Sequence, residues 1–221
     1  MHKIIKAKGL VDVAGKRVVS DPVVLIDGEK IAAVRTREEA SLLPREAEVI
    51  DLFDKYLLPG MINCHAHLVL PGDGTTLETW VQNSNEMFLL TAARNARTAL
   101  MSGITTMRDC GGRDGVTYAL REAVEKGIVA GPRLILSGRM LTITGGHCHP
   151  FHGEVDGPDG VVRAVRQLLK EGADFIKIIA TGGGTTGTHP EWAAFSPAEL
   201  AAAVETAHRV GKKVSAHCRG I

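Results

Sequence analysis

Short apolar runs alternate with segments of helical periodicity in the larger, C-terminal part of the chain, and this alternation restricts the fold more than any other feature. The runs begin near Met61, Ile104, Arg133, Asp174 and Lys213. Repeated β-helix-β units require right-handed crossovers and a parallel sheet. The pattern therefore predicts an α/β fold, and periodicity alone leaves two architectures open, a doubly wound open sheet or a closed barrel.

The predicted helices carry boundary signals. The sequence Ser196-Pro197-Ala198-Glu199 combines an N-cap serine, a proline at the first helical position and the glutamate of a capping box. Glycines stand where four helices should end, at Gly103, Gly127, Gly172 and Gly211.

The N-terminal part has a different hydrophobic pattern, which is typical of β-strands. Strand patterns cover residues 3–13, 23–26, 30–34 and 48–58, with a hairpin turn at Asp27-Gly28. This indicates a small sheet that ends at Pro59-Gly60. We expect two domains, residues 1–58 and residues 59–221.

Composition excludes several classes of partner. The 221 residues include 26 Lys and Arg against 25 Asp and Glu, so the formal charge of +1 is too small to favour nucleic acid or anionic lipid. No apolar stretch approaches the roughly 20 residues that span a bilayer, and charge returns too early for a signal peptide. The four cysteines form no C-x-x-C pair. We expect a cytoplasmic protein that binds neither nucleic acid nor membrane and that can form a homo-oligomer.

Two histidines lie at the end of the first C-terminal strand. Alternation along residues 61–68 places His65 and His67 on one face, and Ile62, Cys64, Ala66 and Leu68 on the face that suits the helix layer. Two converging neutral imidazoles are typical of a metal site, whereas two hydrogen-bonded structural histidines are the simpler interpretation.

A lysine interrupts the fourth apolar run. Strands of a parallel sheet are buried on both faces, so Lys177 in Ile176-Lys177-Ile178-Ile179 has to be paired, have its pKa lowered or be modified. A structural salt bridge is one interpretation. Alternatively, a desolvated neutral amine can add carbon dioxide and give an anionic carbamate that bridges two cations.

The fifth run repeats the histidine pattern. Alternation places His217 on the inner face and Cys218 on the opposite face. A zinc site formed by Cys64, His65, His217 and Cys218 is geometrically awkward for this reason, although a β-bulge would permit it.

Together these motifs resemble the amidohydrolase superfamily, in particular the metal-dependent amidohydrolases that resemble imidazolonepropionase and Xaa-Pro dipeptidase. The resemblance rests on residues 58–67 with their H-x-H motif, on Lys177 in a fourth strand and on His217 in a fifth. It implies a (β/α)₈ TIM barrel, here incomplete with about five βα units, and an N-terminal half of a small β-sandwich.

The resemblance also implies a ligand set. His65 and His67 would bind the more buried metal, carboxylated Lys177 would bridge two zinc ions, and His217 would bind the second. Asn63 stands where many relatives have aspartate. A histidine of strand six and an aspartate of strand eight have no counterpart, so the catalytic acid-base residue is unknown, and we expect a truncated chain with open edges at strands one and five.

The implied reaction is hydrolysis of a C–N amide bond in a dipeptide, a cyclic amide or an N-acyl substrate by a metal-activated hydroxide. An imidazolone-type ring hydrolase or a deaminase is an alternative within enzymes. A catalytically incomplete metal-binding fragment is the alternative from another class.

Residues of the predicted loops complete the candidates. His147, in a Gly-Gly-His context that resembles relatives, is predicted to bind substrate, while His149 and His152 are surface residues or an adventitious metal site. The glycine-rich residues 181–188 lack the lysine of a phosphate loop and indicate a mobile loop near the substrate, with His189 as a contact. Arg108 and Asp109 are predicted to form a supporting ion pair.

Overall fold

The structure, a computed structural model, describes residues 2–39, 44 and 46–220. The chain divides into two compact units, Met1–Gly60 and Met61–Ile221. Within the described residues, no helix is both long enough and apolar enough to cross a membrane.

In the residues of the first unit that the structure describes, seven strands form two sheets. The strands are β1 His2–Lys6, β2 Gly9–Asp12, β3 Arg17–Ser20, β4 Pro22–Asp27, β5 Lys30–Thr36, β6 Glu48–Asp51 and β7 Tyr56–Leu57. One sheet has the order β5-β4-β1-β6 and the other β3-β2-β7. The β4–β5 hairpin turns where it was predicted, because Gly28 accepts the left-handed φ of 59°.

The prediction of one small sheet here was wrong in two respects. The run over residues 3–13 is two strands of different sheets, separated at Ala7 and Lys8. Strand β3 was not predicted, because Arg17–Ser20 is too short and too exposed to give a clear alternation.

The second unit alternates strands and helices, which confirms the mixed α/β class. Its elements are β8 Met61–Ala66, α1 Leu77–Trp80, α2 Asn85–Met101, β9 Ile104–Asp109, α3 Val116–Glu125, β10 Arg133–Leu136, a 3₁₀ turn His149–Phe151, α4 Pro158–Glu171, β11 Ile176–Ile179, α5 Pro197–His208 and β12 Val214–His217. All strand pairs are parallel, with the orders β10-β9-β8 and β11-β12.

An isolated β-bridge joins these two sheets. Leu141, just beyond β10, pairs in parallel with Ile178 of β11, and its backbone N–H donates to the Lys177 carbonyl oxygen at 2.9 Å. Each strand therefore lies beside its neighbour in sequence, and the order never reverses. Within the described residues, β8 and β12 are edge strands with a partner on one side only, as predicted.

The helices pack by the stripes that the periodicity predicts. Helix α4 buries Val161, Val165 and Leu168 against the strands, and it ends at Gly172, whose φ of 101° only glycine adopts without strain. This packing places the carboxyl ends of the strands, and the loops that follow them, at one edge of the unit.

The capping box of α5 gives a test of the helix assignment. The Ser196 hydroxyl accepts from the Glu199 backbone N–H at 3.4 Å, and the Glu199 carboxylate accepts from the Ser196 N–H at 2.8 Å. Replacing Ser196 with alanine is expected to lower the free energy of unfolding by about 1 kcal/mol. Urea denaturation followed by circular dichroism measures this, and a Ser196→Asp variant that still caps should remain near the parent value.

Candidate metal and substrate site

The end of β8 carries the H-x-H pair, with the two rings at different depths. His65 is exposed and His67 is half-buried, and their ring centroids lie 5.4 Å apart. Ala66 and Leu68 pack into the core as predicted, but Ile62 is 66% exposed and Cys64 is also exposed. The prediction that all four face the helix layer was wrong because the β8–β9 register shifts between Met61 and Ile62 and again between Asn63 and Ala66, which interrupts the alternation.

The His67 ring is held in one neutral form. Its Nδ1 lies 3.0 Å from the Gly111 carbonyl oxygen, which can only accept, so Nδ1 carries the proton and Nε2 keeps its lone pair. Burial and then the nearby Lys177 amine lower the pKa of His67, although the Gly111 contact opposes them. Metal-binding histidines commonly donate their second ring N–H in this way.

Lys177 is buried as the sequence predicts, and among the described residues it forms no salt bridge, which was the alternative interpretation. All four residues of β11 are buried, and Lys177 is 2% exposed. Burial is the main cause that lowers its pKa; the Cys110 thiol opposes this and the Arg108 guanidinium adds to it, and no carboxylate of the described residues is among these causes. A buried amine without an anionic partner is costly as an ammonium ion, which favours the neutral amine.

His217 lies on β12 in register with Ile179 of β11, two residues from Lys177. Its Nε2 lies 3.2 Å from the Gly182 carbonyl oxygen, so Nε2 donates and Nδ1 keeps the lone pair. Burial is the largest effect on the pKa of His217 and lowers it. The Gly182 hydrogen bond raises this pKa, and the Lys177 charge lowers it further. The half-buried ring therefore presents a neutral nitrogen that can bind a cation.

His147 reaches the same space from the loop after β10. Its ring centroid lies 4.8 Å from that of His217. Its Nδ1 lies 2.7 Å from the Thr185 hydroxyl and accepts from the Thr185 backbone N–H at 3.3 Å. Burial and the neighbouring His217 lower the pKa of His147 to about 4.

Electrostatic coupling shows which groups share this space. The Lys177 amine is among the charges that lower the pKa of four imidazoles, namely those of His65, His67, His147 and His217. The Lys177 amine on β11 is therefore within electrostatic reach of four histidines, which lie at the carboxyl ends of β8 and β12 and in the loop after β10.

The candidate ligand atoms are of the chemical types that bind divalent metals. His67 and His217 each keep one ring nitrogen free, and a carbamate on Lys177 would add anionic oxygen. Among the residues that the structure describes, no three His, Cys, Asp or Glu side chains converge closely enough to hold an ion together. The four-residue site of Cys64, His65, His217 and Cys218 is likewise not formed within this part of the chain, where Cys64 and Cys218 are exposed.

The predicted ion pair between Arg108 and Asp109 was wrong. Arg108 donates from Nε to the Cys64 carbonyl oxygen at 2.6 Å and stacks over the Phe175 ring at 5.1 Å. Asp109 is fully buried and accepts backbone N–H groups of Leu68 at 2.7 Å and Gly111 at 3.1 Å. Adjacent residues of a strand point to opposite faces, which separates the two side chains.

The remaining candidate histidines are held outside this space. His149 contacts the Gly146 carbonyl oxygen through Nδ1 at 3.1 Å, and His152 pairs with Asp114 at 3.0 Å. His189 stacks on Trp192 with ring centroids 4.5 Å apart. None of these contacts links the three residues to Lys177.

Several residues of the site were missed at the level of sequence. Thr185 holds His147, and the Arg219 charge lowers the pKa of both His147 and His217. The half-buried Cys148 lies 3.4 Å from His147 Nε2, and burial raises the pKa of its thiol to about 11. Nothing distinguishes Thr185 from the other threonines of its loop in sequence.

Comparison with known proteins identifies the class of protein that this fold and site define. The model of the amidohydrolase family matches residues 56–221, and the chain belongs to that family. Ochratoxinase of Aspergillus niger is 34% identical over 193 residues, which cover 74% of this chain. Imidazolonepropionase of Methylobacterium nodulans is 28% identical over 92% of this chain. A solved Xaa-Pro dipeptidase structure with bound methionine in its active site has a TM-score of 0.87 and 30% identity over the whole chain.

The chain spans only part of the length of these relatives. It covers 39% of ochratoxinase, 55% of the imidazolonepropionase and 57% of the dipeptidase chain.

Proposed function

We propose that this chain carries the metal-binding part of an amidohydrolase that hydrolyses a C–N amide bond of a small molecule. The observation that supports this most directly is Lys177, a buried amine with no carboxylate partner among the described residues, which lies within electrostatic reach of His65, His67 and His217. In this proposal the five βα units belong to a (β/α)₈ barrel, residues 1–58 are part of a β-sandwich and residues 59–221 are part of the barrel.

Lys177 is proposed to act as a carbamate. The lone pair of the neutral amine forms a bond to the carbon of carbon dioxide, one N–H proton passes to solvent, and an anionic N-carboxylate results. Burial keeps the amine neutral, which this step requires. The product replaces an unfavourable buried ammonium ion with a group that can bind cations.

His65, His67 and His217 are proposed to hold one or two divalent ions, of which zinc fits the nitrogen donors best, together with that carbamate. When bound, such ions lower the pKa of water and polarise a carbonyl group. Gly111 and Gly182 fix the rings of His67 and His217 through their carbonyl oxygens, so the free nitrogens stay oriented. His147 is proposed to bind the substrate by donating from Nε2.

The proposed substrates are a dipeptide, a cyclic amide or an N-acyl compound. The relatives named Xaa-Pro dipeptidase and imidazolonepropionase support the first two types. A ring hydrolase of the imidazolone type is therefore the second candidate function, and turnover of an imidazolone in preference to linear amides would favour it.

Metal binding is tested by comparing two histidines. His67→Ala is expected to weaken zinc binding by about 100-fold or more, because it removes a ring nitrogen that the Gly111 contact has oriented. His208→Ala removes an exposed histidine at the end of α5 and should leave binding unchanged. Isothermal titration with zinc measures binding, and assays with a panel of amides measure turnover, both in buffer with bicarbonate. Equal zinc affinity in the two variants would contradict the proposed site.

A further inference from the structure

The glycine-rich loop after β11 is tied down by its own hydrogen bonds. The Thr188 hydroxyl donates within the loop and contacts the Thr185 carbonyl oxygen at 2.8 Å and that of Gly183 at 3.2 Å. It also accepts from the Gly183 backbone N–H at 3.3 Å. The Thr186 hydroxyl donates to Glu78 of α1 at 2.8 Å. These hydrogen bonds favour a loop with a fixed conformation, whereas the glycines of residues 181–188 had predicted a mobile loop.

Thr185 connects this loop to the His147 loop through three hydrogen bonds. Its hydroxyl oxygen accepts from the Cys148 backbone N–H at 3.0 Å, so its single proton is available for His147 Nδ1, 2.7 Å away. The Thr185 backbone N–H, which can only donate, also reaches that Nδ1 at 3.3 Å. Two donors on one nitrogen require it to be bare, and the ring proton of neutral His147 therefore lies on Nε2.

Gly183 fixes the ring from one side. A Cβ atom at this position would lie 2.3–2.6 Å from three atoms of the His147 imidazole, far inside van der Waals contact. The backbone of the loop thus lies directly against the ring, and a larger residue would force the imidazole to move. This close approach is independent of the hydrogen bonds that Thr185 makes.

We infer that Thr185 and Gly183 are positioning residues that hold the His147 ring beside His217 with its proton on Nε2, where the Cys148 sulfur at 3.4 Å is a weak acceptor that a substrate oxygen can replace. The protonated Nε2 fits a substrate acceptor, such as a carbonyl or carboxylate oxygen. The part of this inference that concerns the substrate rests on the proposed function. The tautomer assigned to His147 does not depend on it.

The tautomer is tested by nitrogen NMR of the chain labelled in its histidines, with the His147 signals assigned by their loss in His147→Gln. The parent chain should show His147 protonated on Nε2 and bare on Nδ1. Thr185→Val should convert a substantial fraction to the opposite tautomer, and Thr185→Ser should restore the parent spectrum. Thr186→Val, which removes the neighbouring hydroxyl, is the matched control and should leave the His147 signals unchanged.

Gly183→Ala provides a second test that keeps the Thr185 hydroxyl in place. It should shift the His147 signals and weaken the Nδ1 hydrogen bond by displacing the ring. A parent tautomer that persists unchanged in both Thr185→Val and Gly183→Ala would overturn the inference, as would a parent ring protonated on Nδ1.

Kinetics then separates the inference from the proposed function. On an amide that the chain hydrolyses, Thr185→Val is expected to lower kcat/KM about five- to tenfold and Thr185→Ser less than about twofold. Equal rates in the parent and Thr185→Val would overturn the positioning role. If no amide is hydrolysed while the NMR result holds, the proposed function fails and the tautomer assignment stands.

Discussion

Replacing Lys177 with methionine is expected to remove amide hydrolysis almost completely without harming the fold. Methionine has a similar length and no charge, so it fills the 2% exposed position but cannot form a carbamate. We expect kcat/KM to fall by a factor on the order of 10³ or more, since the bridging anion is lost. The free energy of unfolding without metal should stay constant or rise by about 1–3 kcal/mol, because a desolvated amine is removed.

Lys170→Met is the matched control, because it makes the same change at an exposed position of α4. It should leave turnover, zinc content and stability near the parent values. Mass spectrometry of the native chain, with and without ¹³C-bicarbonate, shows whether Lys177 carries the added carboxylate. A Lys177→Met variant that turns over amides at the parent rate would refute the role proposed for this residue.

Asp109 is expected to make the folded chain less stable as the pH rises, which is the opposite of the usual effect of a carboxyl group. Burial raises its pKa to about 6, in spite of the bonds from the Leu68 and Gly111 N–H groups that lower it. In the unfolded chain the value returns to about 3.9. Between pH 4 and pH 6 the folded state therefore binds more protons, so this contribution is fully present below about pH 4 and is lost as the pH rises through 6.

The size of the effect follows from the difference of about two pKa units, which corresponds to about 3 kcal/mol. Asp109→Asn does not titrate, so the free energy of unfolding of the parent minus that of the variant should fall by about this amount from pH 4 to pH 7. Asp73→Asn changes a fully exposed carboxyl whose pKa is lowered by contacts with Thr75. For this variant, the free energy of unfolding of the parent minus that of the variant should rise with pH, and not fall. Urea denaturation across the pH range measures both, and a constant difference for Asp109 would show that burial does not control its ionisation.

The elements that the sequence predicted well are those whose local signals agree with their packing. Helix α4 has an apolar stripe, a proline near its start and a glycine at its end, and β11 is apolar apart from one lysine. The capping box of α5 forms as written in the sequence. Such segments can be predicted because hydrophobic periodicity and capping are properties of neighbouring residues.

The predictions that failed depend on residues far apart in sequence. Alternation along β8 could not reveal the register shifts with β9, and proximity in sequence suggested an Arg108–Asp109 pair that the strand geometry forbids. The candidate histidines and Lys177 could be predicted from the sequence because imidazoles and a buried amine are chemically distinctive. Thr185 could not be, since its role exists only when the loops after β10 and β11 meet.

The sequential order of the parallel strands has a consequence for how the site comes into being. His65 and His217 stand at opposite ends of that order, about 150 residues apart along the chain. Closing so large a loop is slow and entropically unfavourable, so the full set of donors should assemble only at a late stage of folding. Any ion that binds this set would then bind after the donors have assembled, and it would stabilise the folded chain by a free energy that grows with the logarithm of its affinity.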